Sequence, residues 1–311
     1  MIVIKDIVSD NHFRKTMALM YRILLAGALL CLLDAFPVPA AQGEKSLANH
    51  NAQKTAYTMG IFPYLPATVL EDVFSPLAAE IGQSLGREVR FISASSMRDF
   101  TAHLKHKEYE IAYIQPFDYA LFAAPADYLP LVTRFEELFA VFVVTDGSPL
   151  HKPADLMGKT VGSPPAEGAV YNLAKIALQR AGLKPDRDVT IKALSTQESC
   201  FQQLQIGNID VCASGPAVVR TYQEQANVKF RIIMESPKVP PNLFVANTRV
   251  LKNERAIIAK TLTSTNISRN NPGLKKLFVD DKSNPGQYFR TVKASEYDIM
   301  RRHLKVLKEM R

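Results

Sequence analysis

Cysteine is scarce in this chain, glycine and proline are unexceptional, and no apolar stretch approaches the length of a membrane span. Three cysteines in 311 residues exclude a disulfide-knot scaffold. With 14 Gly and 19 Pro and 22% charged residues, neither a collagen-like nor a disordered chain fits. The longest apolar run, Ile23 to Leu33, is roughly 11 residues, against the ~20 that a helix needs to cross a bilayer. No nucleophile elbow is present, and no glycine-rich phosphate loop follows a strand. His103 and His106 stand three apart, a spacing able to grip a metal, but no third ligand is near in sequence, so they read as a solvated helix face. An enzyme is therefore not expected, and no cofactor is implied.

What is present is an ordinary globular composition, 47% hydrophobic, long enough for one large or two medium domains. Lys+Arg outnumber Asp+Glu by 38 to 30, a formal charge of +8. The excess is spread along the chain, which reads as solubility with a mild bias toward anions, not as a nucleic-acid surface. The basic residues Arg301, Arg302, Lys305, Lys308 and Arg311 read as the polar side of a terminal amphipathic helix.

Residues 1–40 read as an export signal. Arg14, Lys15 and Arg22 precede the apolar run, and Val38-Pro39-Ala40 puts small residues at −3 and −1 of a cleavage site before Ala41. Met17 or Met20 offers an alternative start. Leu30 before Cys31 argues against a lipoprotein. Removing this segment takes away four Lys/Arg and three Asp/Glu, leaving +7 of the +8. A periplasmic, monomeric mature protein is expected, with residues 41–55 as a loose lead-in. Two cysteines then remain. Cys200 and Cys212 can form a disulfide in an oxidising compartment or stand as two buried thiols, and both readings stay open.

Past residue 55, strands and helices alternate. AYTMGI, EVRFI and EIAYI read as strands, and Val69, Val73, Leu77, Ile81 and Leu85 as the buried stripe of a helix over 68–85 that Gly86 stops. Strands are also expected at 129–135 and 138–144. The pattern restarts near residue 145, with strands near 160, 190, 209 and 230, and a helical return closes the chain. This is an α/β chain with mostly parallel sheets. Its expected organisation is 56–144 plus 242–311 as one lobe and 145–241 as the other. The hinge crossings are expected at Val143–Asp146 and at the proline-rich Glu235–Asn242. Ligands in such folds sit at the carboxyl ends of strands.

Several segments carry a resemblance. They are PLAAEI before Leu85-Gly86, Tyr109-Glu110-Ile111-Ala112-Tyr113-Ile114-Gln115-Pro116, Asp155-Leu156-Met157-Gly158-Lys159-Thr160-Val161, Gly182-Leu183-Lys184-Pro185, Gly207-Asn208-Ile209-Asp210-Val211, Glu235-Ser236-Pro237-Lys238-Val239-Pro240-Pro241, and Glu296-Tyr297. In order and spacing the chain resembles the periplasmic substrate-binding proteins of phosphate, phosphite and phosphonate transporters over about 57–300. The resemblance implies the type II periplasmic-binding-protein fold: two α/β lobes, a ligand cleft and two hinge crossings. It departs at the anion loop. Where phosphonate binders carry Ser-Thr-Ser-Gly, this chain has Ala166-Glu167-Gly168-Ala169. The family's histidine aligns with Gln197, its first-lobe tyrosine falls near Ser96, and its crossing aspartate aligns with Asn242.

The candidate ligand contacts are therefore Tyr64, Ser96, Gln115, Ala166, Glu167, Gly168, Thr196, Gln197, Ser214 and Asn242. Helix capping is the competing reading of Ser195, Thr196 and Gln197, and a helix-dipole role that of Glu167. Phe62, Tyr64, Tyr113, Phe117 and Tyr119 are either lobe core or an aromatic wall able, with Glu167, to hold a cation. The expected role is closure over a small ligand for delivery to an ABC permease. The alternative is a sensory protein that presents its closed form to a membrane receptor kinase.

Overall fold

The computed structural model describes residues 55–310. The export signal and most of the lead-in lie outside the described residues. Two mixed sheets organise the chain. The first runs through β1 (Tyr57–Ile61), β2 (Val89–Ser93), β3 (Ile111–Ile114), β4 (Tyr128–Arg134), β10 (Leu243–Asn247) and β11 (Phe289–Thr291), in the order β11-β4-β10-β3-β1-β2. The second holds β5 (Val141–Thr145), β6 (Thr160–Ser163), β7 (Thr190–Ala193), β8 (Val211–Ser214) and β9 (Phe230–Glu235), in the order β7-β6-β8-β5-β9. In each sheet three parallel strands are followed by one that runs antiparallel and arrives from the other half of the chain.

The helices between strands are α1 (Ala67–Leu85), α2 (Met97–Lys105), the short α3 (Pro116–Asp118) running into a π turn over Tyr119–Ala123, α4 (Ala169–Arg180), α5 (Gln197–Gln205) and α6 (Pro216–Ala226). After β10 come α7 (Lys252–Leu262), α8 (Ile267–Asn270), α9 (Leu274–Leu277) and α10 (Asp298–Glu309). Helix α1 buries Leu70, Val73, Phe74, Leu77, Ile81 and Leu85, while Val69 is exposed. A strict four-residue spacing drifts off a 3.6-residue helix, so Leu70 and Phe74 take the inner positions that the sequence pattern assigned to Val69. Gly86 ends α1 at φ +58°, the left-handed conformation that suits glycine.

The sheet order moves one expected boundary. The apolar run Leu138–Val144 offers no internal sign of which sheet it joins. Strand β5 pairs with β8 and β9, so the crossing falls at 135–140 and not at Val143–Asp146, and residues 141–144 leave the first half for the second. The return crossing occupies 236–242, as the prolines suggested. The two crossings hold each other. Leu138 and Val239 exchange backbone hydrogen bonds at 2.9 Å both ways, and Ser236 Oγ accepts from the Ala140 N–H at 2.8 Å. Tyr297 Oη donates to the Pro241 carbonyl at 2.7 Å, tying the residues just before α10 to this ribbon.

Two kinds of core result. The first half has one continuous cluster rich in rings: Tyr113 lies 4.7 Å from Phe244 and 5.8 Å from Phe74. The second half has two smaller clusters, one on each side of its sheet. Helix α4 belongs to both halves. Ala169, Leu173 and Ile176 enter the first-half cluster, while Ala174, Ala177 and Leu178 enter the second. Among the described residues no helix is long and apolar enough to cross a membrane.

Candidate functional site

The carboxyl ends of the parallel strands of both sheets lead into the loops expected to meet a ligand. Cap geometry separates their roles. Helices α2 and α5 start on their own side chains: Ser96 Oγ accepts from the Asp99 N–H, and Thr196 Oγ1 from the Ser199 N–H. Ser96 and Thr196 thus satisfy helix-end donors, the role the sequence offered as the alternative for Thr196 but not for Ser96. Gln197 is held by Ser214, whose Oγ donates to Gln197 Oε1 at 2.7 Å, so these two candidates meet across the ends of α5 and β8. Beneath them Cys200 and Cys212 are joined in a disulfide that pins α5 to β8. A Cβ at Gly162 would meet the Ile209 Cδ1 at 2.4 Å and come within 3.2 Å of Cys200 Sγ, so β6 passes close under the disulfide and a larger residue there would require Ile209 to move.

Helix α4 starts differently. Gly168, its N-cap, has no side chain to offer, and the Ala169 N–H donates instead to Gln115 Oε1 at 2.7 Å. Gln115 follows β3 in the first sheet, so this buried bond joins the two sheet-bearing halves. The same amide presents Nε2 to Asp118 Oδ2 at 3.4 Å. Asp118 is only 6% exposed and has no other hydrogen-bond partner among the described residues. Burial pushes its carboxyl up to about 7, with the Gln115 contact pulling weakly the other way.

Asp118 opens onto a cavity of about 450 Å³ that also touches Ala166 and Glu167. Both loop residues are exposed at its edge. The remaining wall comes from α2, the π turn, Asn172 on α4, and Leu304, Leu307 and Lys308 on α10.

A second polar group gathers near the crossings. Tyr113 Oη and Asn242 Oδ1 are buried without a hydrogen-bond partner among the described residues. Burial pushes the Tyr113 phenol up to about 12, and Arg134 and Asn242 pull it back. Arg134 itself is ion-paired with Glu136 at 2.5 Å and lies 5.2 Å from the Phe278 ring centroid. Tyr64 stacks on Phe62 at 4.5 Å and is 37% exposed, yet the enclosure of its hydroxyl raises it well above the ordinary phenol range. Of the five aromatics expected near the cleft, Phe62, Tyr113, Phe117 and Tyr119 are buried, and Tyr64 alone keeps an exposed face.

Nine of the ten candidates thus fall into three groups, Gln115 with Ala166, Glu167 and Gly168, then Thr196, Gln197 and Ser214, then Tyr64 with Asn242, while Ser96 stands apart as the cap of α2. Asp118, Arg134, and Ser163, whose buried Oγ has no hydrogen-bond partner among the described residues, were not among the candidate contacts named from sequence. The signal for Asp118 was an acidic residue directly after an apolar strand and Gln-Pro-Phe, in a stretch with no polar neighbour besides Gln115. His103 and His106 both lean on Glu108, and no metal-binding cluster occurs among the described residues.

Comparison with known proteins agrees with this architecture. A family model described as the ABC transporter, phosphonate, periplasmic substrate-binding protein matches residues 59–284. Among solved structures, PhnD1 from Prochlorococcus marinus in complex with methylphosphonate superposes with a TM-score of 0.69 at 13% identity, covering 81% of this chain and 98% of its own. XAC2383 from Xanthomonas citri bound to ATP gives 0.67 at 15%, covering 82% and 98%. The aliphatic sulphonate binding protein SsuA from Escherichia coli gives 0.55 at 16%, covering 82% and 92%. These likenesses show the type II periplasmic-binding-protein fold. No curated protein matches the sequence. Because the family model spans more than half of the chain, the protein belongs to the phosphonate family of periplasmic substrate-binding proteins of ABC transporters.

Proposed function

We propose that the protein closes over a small molecule at the start of α4, with the ribbon of 135–140 and 236–242 as its hinge, and delivers it to an ABC permease. The bond from the Ala169 N–H to Gln115 Oε1 carries this reading, because it is a polar contact between the two halves at the loop where the resemblance locates the ligand. A ligand that replaces or braces this contact favours the closed form by its differential affinity for it.

The same bond argues against simple phosphonates. Similar structures hold methylphosphonate and ATP. In this chain the hydroxyls of the Ser-Thr-Ser-Gly loop are replaced by Ala166, Glu167 and Gly168, and one first-turn N–H already has an acceptor. Hydrogen bonds to a charged group contribute about 1.5–3 kcal/mol each. The loss of two weakens binding by roughly a hundredfold or more.

Calorimetry with inorganic phosphate and methylphosphonate tests the specificity, and submicromolar binding of either overturns it. Small-angle scattering before and after addition of whatever compound co-purifies, identified by mass spectrometry, tests the closure. Compaction on binding is expected; bound compound without compaction refutes it.

A further inference from the structure

Asp118 is a buried carboxylate facing a cavity, with one long hydrogen bond and no cation among its contacts in the described residues. An acid placed this way is costly unless a partner joins it. The wall around it joins an apolar part, with Phe117, Leu121 and Phe122 from the first half and Leu304 and Leu307 from α10, to the polar Thr101 and Asn172. The other charged groups of the cavity are Arg98 and Lys105 on α2, Glu167 on the α4 loop, and Lys308 on α10. All four are exposed, so they stand at the mouth. Lys105 Nζ lies 4.3 Å from the Phe122 ring centroid, so the aromatic wall already accommodates an ammonium.

We propose that this cavity is the subsite for the ammonium end of an alkylamine, with Asp118 as its counter-ion and the apolar wall enclosing the hydrocarbon chain. The proposal rests on the binding-protein reading and names its ligand class. Asp118 touches Gln115, and Gln115 holds the first N–H of α4. A cation on Asp118 is therefore one side chain away from the contact that joins the halves. Glu167 adds a second carboxylate at the mouth, but Arg98, Lys105 and Lys308 outnumber it, so attraction of an ammonium falls to the buried Asp118 and the exposed cations oppose a dication most strongly.

The affinity has a predictable pH course. The carboxyl titrates near 7, so the ionised fraction rises about tenfold between pH 6 and 8. The amine stays protonated until about pH 10. Alkylammonium binding therefore strengthens about tenfold from pH 6 to 8.

The experiment is calorimetry on protein purified from the periplasm after expression of the full chain, with hexylamine as the probe and hexanol and hexanoate as its neutral and anionic counterparts. At pH 8 hexylamine is expected to bind at least tenfold more tightly than either. Asp118→Asn should remove at least tenfold of the hexylamine affinity and leave that for hexanol unchanged. Leu307→Trp narrows the cavity from α10 and adds a fluorophore to a chain with no tryptophan. It should weaken hexylamine binding even if the Asp118 variant does not fold. Equal binding of hexanol and hexylamine, unchanged hexylamine affinity in Asp118→Asn, or no hexylamine heat at millimolar concentration each overturns the proposal. A co-purified compound without an amine that compacts the protein also overturns it, yet leaves the binding-protein reading intact. Failure of compaction with any bound compound refutes that broader reading instead.

Discussion

The two sheets repeat one topology but start their helices in unlike ways. In the order β2-β1-β3-β10-β4 and in β7-β6-β8-β5-β9, the second connecting helix caps itself, through Ser96 in one half and Thr196 in the other. The third begins with proline in both, at Pro116 and Pro216. The first helices lack a side-chain cap of their own, and only α4 receives one from across the molecule, from Gln115. A self-capped helix has its end donors satisfied within a few residues. A helix whose start depends on a distant side chain responds to whatever moves that side chain. The structural asymmetry thus sits at one helix start, on a background of repetition.

The halves also differ in what stabilises them, and large perturbations should divide along that line. Phe74 is fully buried among Phe91, Tyr113, Phe244 and Phe278. Phe74→Ala is expected to lower stability by about 3–5 kcal/mol in chemical denaturation. The second half relies on the Cys200–Cys212 link, and its core clusters are smaller. Replacing both cysteines by serine should cost about 3 kcal/mol by loop entropy. Reductant should reproduce that loss in the wild type and leave the double variant unmoved. If reductant shifts the two proteins equally, the disulfide does not contribute to the difference between the halves.

Much of this comparison was legible beforehand. Alternating strands and helices, the glycine stop at 86 and the proline-rich return crossing follow from local chemistry, and they appear where the pattern puts them. The assignment of β5 did not, because Leu138–Val144 is apolar throughout and its partners lie about 70 to 95 residues later along the chain. The contact of Gln115 with Ala169 spans 54 residues and depends on how two halves meet, which no periodicity encodes. Asp118 reads in sequence as an ordinary acidic residue in a first turn. Only packing by α4 and α10 turns it into a buried acid. Thr196 carried two meanings, ligand contact and cap, whereas Ser96 was read only as a ligand contact, and at both positions the structure has the hydrogen bonds of a cap.

Asp118 offers the next sharpest test. Its carboxyl is raised in the folded state to about 7 from an unfolded value near 3.9. The protonated form is the one folding favours. Its contribution is full below about pH 4 and is lost as pH rises through 7. Wild-type stability should therefore fall relative to Asp118→Asn by roughly 2–3 kcal/mol between pH 5 and 8. Parallel thermal-denaturation curves across that range would show that the carboxyl is solvated. Gln115→Ala, measured at one pH, removes the acceptor of the Ala169 N–H and should cost about 1–3 kcal/mol. It should also enlarge the ligand-free radius of gyration, because the lost bond joins the halves. A stability loss without expansion would make Gln115 a packing residue only.

The smallest effect separates capping from recognition. Ser96→Ala and Thr196→Ala each remove the oxygen that accepts an N–H at the start of a helix, Asp99 in one case and Ser199 in the other. Each should cost about 1 kcal/mol. Since the two caps occupy equivalent places in the repeated topology, the two losses should be alike. The Ser96 change has one extra consequence: Ser95 and Ser96 both donate to Asp99, whose carboxyl these hydrogen bonds hold below its usual range. In the Ser96 variant that carboxyl should titrate higher, and the stability loss should shrink at acid pH, where Asp99 is protonated in both proteins. Neither variant should change the affinity for the co-purified compound beyond twofold. A tenfold loss of affinity with little change in stability at either position would mean that this hydroxyl faces the ligand, and that the self-capped helices belong to the site after all.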